Sequence, residues 1–188
     1  MANTRLSASI FSELMNGRVI NKEVIDNDSF KLNPLFTEVM DNLVEYQKHY
    51  EMCGYHFIDT ADYIYIMDRN QKDELKTDIA MKAQVLLLLI GKYLNNNNYS
   101  THKISSLSAG LTMADISAIQ SMPDTEELLD RTGMKSEIFA NIKSILVDRH
   151  ILLEKTSSQS YVLSAIGRQF FEDLKPLYKT MPEQVSDE

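Results

Sequence analysis

Two histidines and the only cysteine of the chain stand close together at His49, Cys53 and His56, and these residue types can bind zinc. A structural zinc site needs four ligands, usually supplied as two pairs, and the sequence contains no second pair. Cys53 as a nucleophile would need an adjacent base, and no motif provides one. We interpret these residues as a half-buried helix end and predict neither a metal nor a catalytic role.

Other enzyme signatures are weak as well. The six glycines stand far apart, so the chain has no glycine-rich phosphate loop. Glu126, Glu127 and Asp130 could form an acid–base cluster, but a solvated loop is the simpler interpretation. We therefore predict a protein that is not an enzyme and that binds no cofactor.

The charge distribution limits nucleic-acid binding. The chain has 19 basic and 27 acidic residues, a net charge of −8, which excludes a chain-wide electrostatic attraction to a phosphate backbone. Residues 131–155 contain five basic and three acidic residues, net +2. These charges could be solvent-exposed without a partner, or they could contact DNA weakly and without sequence specificity. The DNA-contact candidates are Lys135, Lys143, Arg149 and Lys155.

The length and composition predict a soluble globular chain of one domain or two small ones, with 188 residues of which 44% are apolar. The longest apolar run, residues 85–90, is far shorter than the roughly 20 residues of a membrane span. The N-terminus has no apolar signal region, and a single cysteine fits a reducing compartment. We expect a cytoplasmic protein without membrane contact.

The first half of the chain predicts two helices followed by a hairpin. A short helix over residues 7–15 would be capped by Ser7 or Ser9 and stopped by Gly17, with residues 19–20 extended and residues 22–30 a polar turn region. Asn33 and Pro34 would begin one long helix whose apolar face continues to residue 50. Residues 55–59 and 63–67 alternate as two strands joined by a short turn.

The predicted hairpin is acidic at its rim and rich in tyrosine. Asp59, Asp62 and Asp68 would repel phosphate, so this hairpin is expected to contact protein rather than DNA. Tyrosine is enriched at protein interfaces, although these rings could equally cover only their own core. The interface candidates here are Tyr55, Tyr63 and Tyr65.

A helix over residues 79–94 links the two halves. Its run of apolar residues at 85–90 covers all sides, which is typical of a helix buried on more than one side. We expect it between two domains or at an interface with another chain. The candidate interface residues are Leu86, Leu87, Leu89 and Ile90.

The second half predicts the same order of elements again. The predicted elements are a helix over 112–119 capped by Thr112 or Ser108, a polar connection over 121–130, a long helix over 134–149, strands at 151–154 and 161–163, and a helix over 165–174 ended by Pro176. In each half of the chain, the predicted order of helices and strands is that of a winged helix. We predict a mainly α fold with small β-hairpins (α+β), built as tandem winged-helix domains over 1–72 and 73–179, with a disordered acidic tail at 180–188.

Several short stretches resemble the MukE family, which includes the MksE proteins of bacterial condensins. The resemblance covers roughly residues 17–174. The matching stretches are residues 16–20 (NGRVI), 25–27 (IDN), Phe30, the helix over 35–50, the hairpin, residues 91–94 (GKYL), 129–131 (LDR), the helix over 135–149 with its hairpin, and 165–171.

The resemblance implies more than the residues themselves indicate. Proteins of this family are dimeric tandem winged-helix subunits that bind a kleisin subunit (MukF or MksF) and, through it, an SMC ATPase (MukB or MksB). The complex organises and segregates chromosomes, and related complexes act against plasmids. The family implies a nucleoid-associated protein whose C-terminal winged helix faces DNA. The alternative is a free-standing winged-helix transcriptional regulator, which the sparse basic charge disfavours.

Overall fold

The computed structural model describes residues 3–69 and 74–179, and helices predominate in both ranges. The described strands form three small antiparallel sheets, in agreement with the predicted α+β class. The helices are α1 (Thr4–Met15), α2 (Pro34–Asp41), α3 (Leu43–Met52), α4 (Glu74–Asn96), α5 (His102–Ser105), α6 (Met113–Gln120), α7 (Thr125–Arg131), α8 (Ile138–Asn141, continued by a π-helix, Ile142–Val147) and α9 (Ala165–Lys179). The strands are β1 (Ile20–Asn21), β2 (Glu23–Asp26), β3 (Ser29–Leu32), β4 (Tyr55–Asp59), β5 (Tyr63–Asp68), β6 (Leu152–Lys155) and β7 (Ser160–Leu163).

The buried apolar residues of the described chain form two separate clusters. One lies among the elements from α1 to β5, which we call the first module, and the other among those from α4 to α9, the second module. The predicted domain boundary at residues 72–73 and the predicted tail at 180–188 lie outside the described residues.

The first helix begins earlier than predicted. The Asn3 side chain accepts hydrogen bonds from the backbone N–H groups of Arg5 and Leu6, at 3.1 and 3.3 Å, so Asn3 and not Ser7 or Ser9 caps α1. Gly17 follows the helix with φ +69°, which confirms it as the left-handed stop.

The predicted polar turn region is a β-hairpin. Strands β2 and β3 pair from Glu23↔Leu32 to Asp26↔Ser29. Their two connecting residues, Asn27 and Asp28, both have positive φ, which is the geometry of the tightest hairpin turns. The prediction was wrong here because the strands are four residues long and largely exposed, so they lack a clear apolar alternation.

The predicted long helix of the first module is two helices. Asn33 caps α2 by accepting from the Leu35 N–H at 3.0 Å, as predicted, with Pro34 in the first turn. The helix breaks at Asn42, which has φ −125° and whose amide donates to the Glu38 carbonyl at 3.1 Å. An asparagine that bonds locally to the backbone competes with helix continuation, and α3 begins at the next residue.

The predicted hairpin of β4 and β5 is present, and β1 adds a third strand. The order is β1-β5-β4, with Ile20 opposite Ile64 and Phe57 opposite Ile66. These four side chains lie on one face of the sheet and pack with the first module's core. The sheet thus has one covered face and one that belongs to neither core.

Helix α4 does not lie between the modules, and that prediction was wrong. It packs against α9, α6 and the π-helix, all elements of the second module. The four proposed interface residues are only 0–2% exposed and lie in the second module's core, so they offer no surface to a partner. The run is apolar on all sides because its own module surrounds it. The residues concerned are Leu86, Leu87, Leu89 and Ile90.

The rest of the second module departs from the predictions at three places. Thr112, one of the two predicted caps, does cap α6. The region over 121–130, predicted as a polar connection, contains helix α7. The predicted helix over 134–149 begins only at Ile138, because the Asn141 side chain bonds the Lys135 N–H at 3.1 Å and the Lys135 carbonyl at 2.7 Å. Helix α9 continues through Pro176, since its buried side packs on α4 and outweighs the backbone bond that proline removes.

Candidate functional site

The two modules meet along a polar contact, which we call the junction. The Val19 N–H donates to the Arg149 carbonyl at 3.3 Å, and the Asn21 amide donates to the His150 carbonyl at 2.9 Å. The His150 Nδ1 lies 3.0 Å from the Val19 carbonyl and must donate to it. His150 has φ +61°, an uncommon backbone conformation for this residue type that directs its groups toward the first module.

Arg149 belongs to the junction rather than to an exposed cationic helix. Its Nη1 donates to the Gly17 carbonyl at 3.4 Å, and its Nε is buried without a hydrogen-bond partner among the described residues. It also follows the end of the π-helix at Val147. The predicted DNA-contact role of Arg149 therefore competes with its contact to the first module.

Gly17 is the residue whose replacement tests the junction most simply. A Cβ at Gly17 would lie 2.8 Å from Arg149 Nη1, and φ is +69°. We expect Gly17→Ala to destabilise the protein by about 1–2 kcal/mol through backbone strain and to shift the His150 NMR signals by displacing Arg149. Denaturant unfolding and two-dimensional NMR measure both. Gly133→Ala is the matched control, because Gly133 has φ +62° and an open Cβ position. Unchanged His150 signals in Gly17→Ala would contradict the expected displacement.

The β6–β7 hairpin of the second module also makes contacts within the protein. Strand β2 of the first module contacts β6, so one strand of this hairpin faces the first module. Lys155 at its end donates from Nζ to the Leu107 carbonyl at 3.0 Å. The predicted DNA-contact residue Lys155 thus has an intramolecular partner, and the hairpin is not a free wing.

Lys135 and Lys143 remain as exposed cations. No ion pair joins either of them to another residue of the described ranges. Three carboxylates line a surface pocket of about 420 Å³ that also includes Met134, next to Lys135 in the chain. This arrangement reduces the attraction to phosphate near Lys135. The three acidic residues are Glu126, Glu127 and Asp130.

The three tyrosines predicted as one interface face do not share a face. Tyr55 lies on the covered face and packs edge-on against Tyr50 of the first core, with ring centroids 6.5 Å apart. Tyr63 and Tyr65 lie on the other face, with ring centroids 6.3 Å apart, and burial raises the pKa of Tyr65. Strand alternation places Tyr55 on the opposite side from Tyr63 and Tyr65, so the three rings do not form one contact surface.

The side of the three-stranded sheet that faces away from the first core carries a partly exposed apolar surface. Ile58 stands directly opposite Tyr65, and Met67 on the same face is 44% exposed. None of these side chains belongs to the core of either module. We call this surface the outer sheet face; its residues are Ile58, Tyr63, Tyr65 and Met67.

A buried ionic network lies inside the second module. Asp115 accepts from Tyr93 Oη at 2.5 Å and from the Thr112 N–H and Oγ1 at 2.8 Å, and Lys103 Nζ lies 3.0 Å away. Burial alone would raise the pKa of Asp115, but these hydrogen bonds outweigh it and hold that pKa below its usual range. The Thr112–Asp115 spacing is that of a capping box, a signal in the sequence that could have indicated this network.

The lowered pKa of Asp115 makes the folding stability of the protein depend on pH. A carboxyl whose pKa is lower in the folded state than in the unfolded state stabilises the fold. This contribution is fully present above the pKa of the unfolded state, near 3.9, and is lost as the pH falls through the lower pKa of the folded state. We expect wild-type stability to fall steeply below about pH 4. Asp115→Asn should cost about 2 kcal/mol at pH 7 and show a shallower decline in acid. Urea unfolding across pH 2–7 measures this, and parallel curves for the two proteins would contradict it.

Residues 3–69 and 74–179 contain neither a cluster of metal-ligating side chains nor a membrane-spanning helix. No group of three or more histidine, cysteine, aspartate or glutamate residues there could hold a metal ion. Among the helices of residues 3–69 and 74–179, none has both the length and the apolar composition needed to cross a membrane. The surfaces that stand out are therefore the junction, the two exposed lysines and the outer sheet face.

A comparison with protein-family models gave a match over most of the chain. The model of a family described as "Condensin complex protein MksE" matches residues 5–175. Neither the curated proteins nor the solved structures gave a significant match.

Proposed function

Since the chain belongs to the MksE family of condensin complex proteins, we propose that it is a non-catalytic subunit that binds the kleisin of an SMC-type condensin. The observation that carries this proposal is the family match, which extends over nearly the whole described chain. Through the kleisin the subunit joins an SMC ATPase in chromosome organisation or plasmid defence. Two copies form a dimer in the cytoplasm, in association with the nucleoid, and each copy consists of two winged-helix domains.

The outer sheet face is the kleisin-binding surface in this proposal. Two half-buried tyrosines and a 44% exposed methionine form an apolar patch outside the cores of both modules. Tyrosine and methionine are enriched in the cores of protein interfaces. The acidic groups beside the patch have partners in part, since Asp62 pairs with Lys22 at 3.6 Å and Asp59 accepts from Gln47 at 2.8 Å. The patch is therefore suited to an apolar segment of a partner protein.

Binding to the kleisin is tested by mixing the purified chain with a kleisin-type protein from the same organism. Size-exclusion chromatography with light scattering gives the mass of any complex. Co-elution at a fixed stoichiometry supports the proposal, and separate elution of two folded proteins would contradict it.

DNA contact in this proposal depends on Lys135 and Lys143 and is weak. Each lysine that pairs with a phosphate releases counterions, so its loss lowers the salt slope of binding by about 1. We expect charge reversal of both lysines to weaken binding equally on duplexes of different sequence. Fluorescence anisotropy at several salt concentrations measures this, with charge reversal of Lys48 in the first module as the control. Loss of affinity for one sequence only would contradict backbone contact.

A further inference from the structure

A pocket of about 320 Å³ lies between the two modules, next to the junction. This size is within the range of pockets that hold small ligands or single side chains. Apolar side chains from both modules line it. Val19 and Ile20 are buried, and the partly buried ones are Val24, Ile25 and Leu35 from the first module and Leu153 from the second.

Two acceptor atoms of residues that line the pocket have no hydrogen-bond donor among the described residues. Asn21 is 3% exposed, and its amide nitrogen donates to the His150 carbonyl, but its Oδ1 has no partner among the described residues. Glu13 presents a second such acceptor: Oε1 pairs with Arg18 at 3.1 Å, whereas Oε2 is buried without a hydrogen bond. An acceptor that is buried without a donor is costly, so a ligand that supplies N–H groups is favoured at this point.

The two carboxylates that line the pocket offer acceptor oxygens to a ligand that carries N–H donors. Glu13 and Glu154 both line it, and the described residues give Glu154 no ion pair. Three basic groups are nearby: Arg18 is bound to Glu13 Oε1, His150 Nδ1 to the Val19 carbonyl, and Arg149 Nη1 to the Gly17 carbonyl. The buried Arg149 Nε has no hydrogen-bond partner among the described residues. His150 Nδ1 is also 3.8 Å from Glu13 Oε2, so it does not satisfy that oxygen by a hydrogen bond.

We propose that this pocket binds an organic cation that carries N–H donors on an apolar stem, an alkylguanidinium or alkylammonium group. The charged head donates to Asn21 Oδ1 and Glu13 Oε2, while the stem packs against Val24 and Leu153. The group belongs either to an arginine or lysine side chain of a partner segment or to a free amine. This site does not depend on the proposed condensin role, because it follows from the unpaired acceptors and the shape of the pocket alone.

The binding test is an NMR titration of the full chain with n-butylguanidinium, which reports on the Asn21 side-chain amide and on His150. We expect saturable binding with Kd on the order of 1 mM, at least tenfold tighter than that of n-butanol, which lacks the charge. A capped arginine peptide is titrated in parallel. Its binding with similar affinity identifies a partner side chain as the source, and binding of the free cation alone identifies a small amine. Equal affinity for n-butanol, or no saturable binding of any cation, would overturn the proposal.

The role of the carboxylates is tested with matched charge variants. We expect Glu13→Gln to weaken n-butylguanidinium binding about tenfold, since a neutral side chain replaces the charged acceptor. Glu126→Gln on α7 removes the same charge far from the pocket and should leave affinity unchanged. If Glu13→Gln proves unstable, Glu154→Gln at an exposed position of the opposite wall provides the same comparison. Equal affinities in the pocket and control variants would overturn the assignment of the cation to this site.

Discussion

The double variant Tyr63→Ala/Tyr65→Ala is expected to weaken kleisin binding by about 30- to 1,000-fold. Truncating a tyrosine at the centre of an interface typically costs 2 kcal/mol or more, and the two rings lie side by side on the outer sheet face. Isothermal titration with the kleisin-type protein measures the affinity. Circular dichroism and thermal unfolding confirm that the variant keeps its fold, since neither ring belongs to the core.

A matched control distinguishes the specific effect of the outer sheet face on kleisin binding from the effect of removing any exposed apolar side chain. Met52, at the end of α3, is 79% exposed and lies in the same module but outside the sheet. Met52→Ala should bind the kleisin like the wild-type chain. Wild-type affinity in the tyrosine double variant would contradict the assignment of the kleisin surface to this face.

Replacing Leu87 by alanine is expected to destabilise the protein by about 3–4 kcal/mol. Leu87 is fully buried among residues of the second module, and a leucine deleted from such a core leaves a cavity that the surroundings fill only in part. Urea unfolding followed by far-ultraviolet circular dichroism measures the loss. The folded fraction of this variant should bind the kleisin with unchanged affinity, because the side chain does not reach the surface.

Leu88 provides the comparison on the same helix. It is half-buried beside a surface groove that also includes Leu128. Leu88→Ala should therefore cost clearly less stability than Leu87→Ala. If Leu87→Ala left stability unchanged but abolished association with a partner, helix α4 would be an interface helix, as the sequence had suggested.

Local signals predicted the elements that short-range chemistry controls. Asn33 before Pro34 marked the start of α2, Thr112 marked the start of α6, and Gly17 marked the end of α1. In each case one side chain or one backbone conformation satisfies groups at a helix end. The β4–β5 hairpin was predictable for a similar reason, since its alternating strands lie next to each other in the sequence.

Long-range contacts decided what could not be predicted. The apolar run of α4 would have the same sequence pattern whether its own module or a partner covered it. Only the packing of α4 against α9 shows that its own module covers it. Arg149 and Lys155 looked like solvent-exposed cations because their acceptors, the carbonyls of Gly17 and Leu107, are 132 and 48 residues away. The unpaired acceptors of Glu13 and Asn21 also arise only where the two modules meet.

The most direct test of the condensin assignment is affinity purification of the tagged full-length chain from its native cells, followed by mass spectrometry of the proteins retained. The account predicts that a kleisin-type subunit and a long coiled-coil SMC ATPase are recovered together and that the Tyr63→Ala/Tyr65→Ala variant loses both. Recovery of a folded chain without either subunit would contradict it.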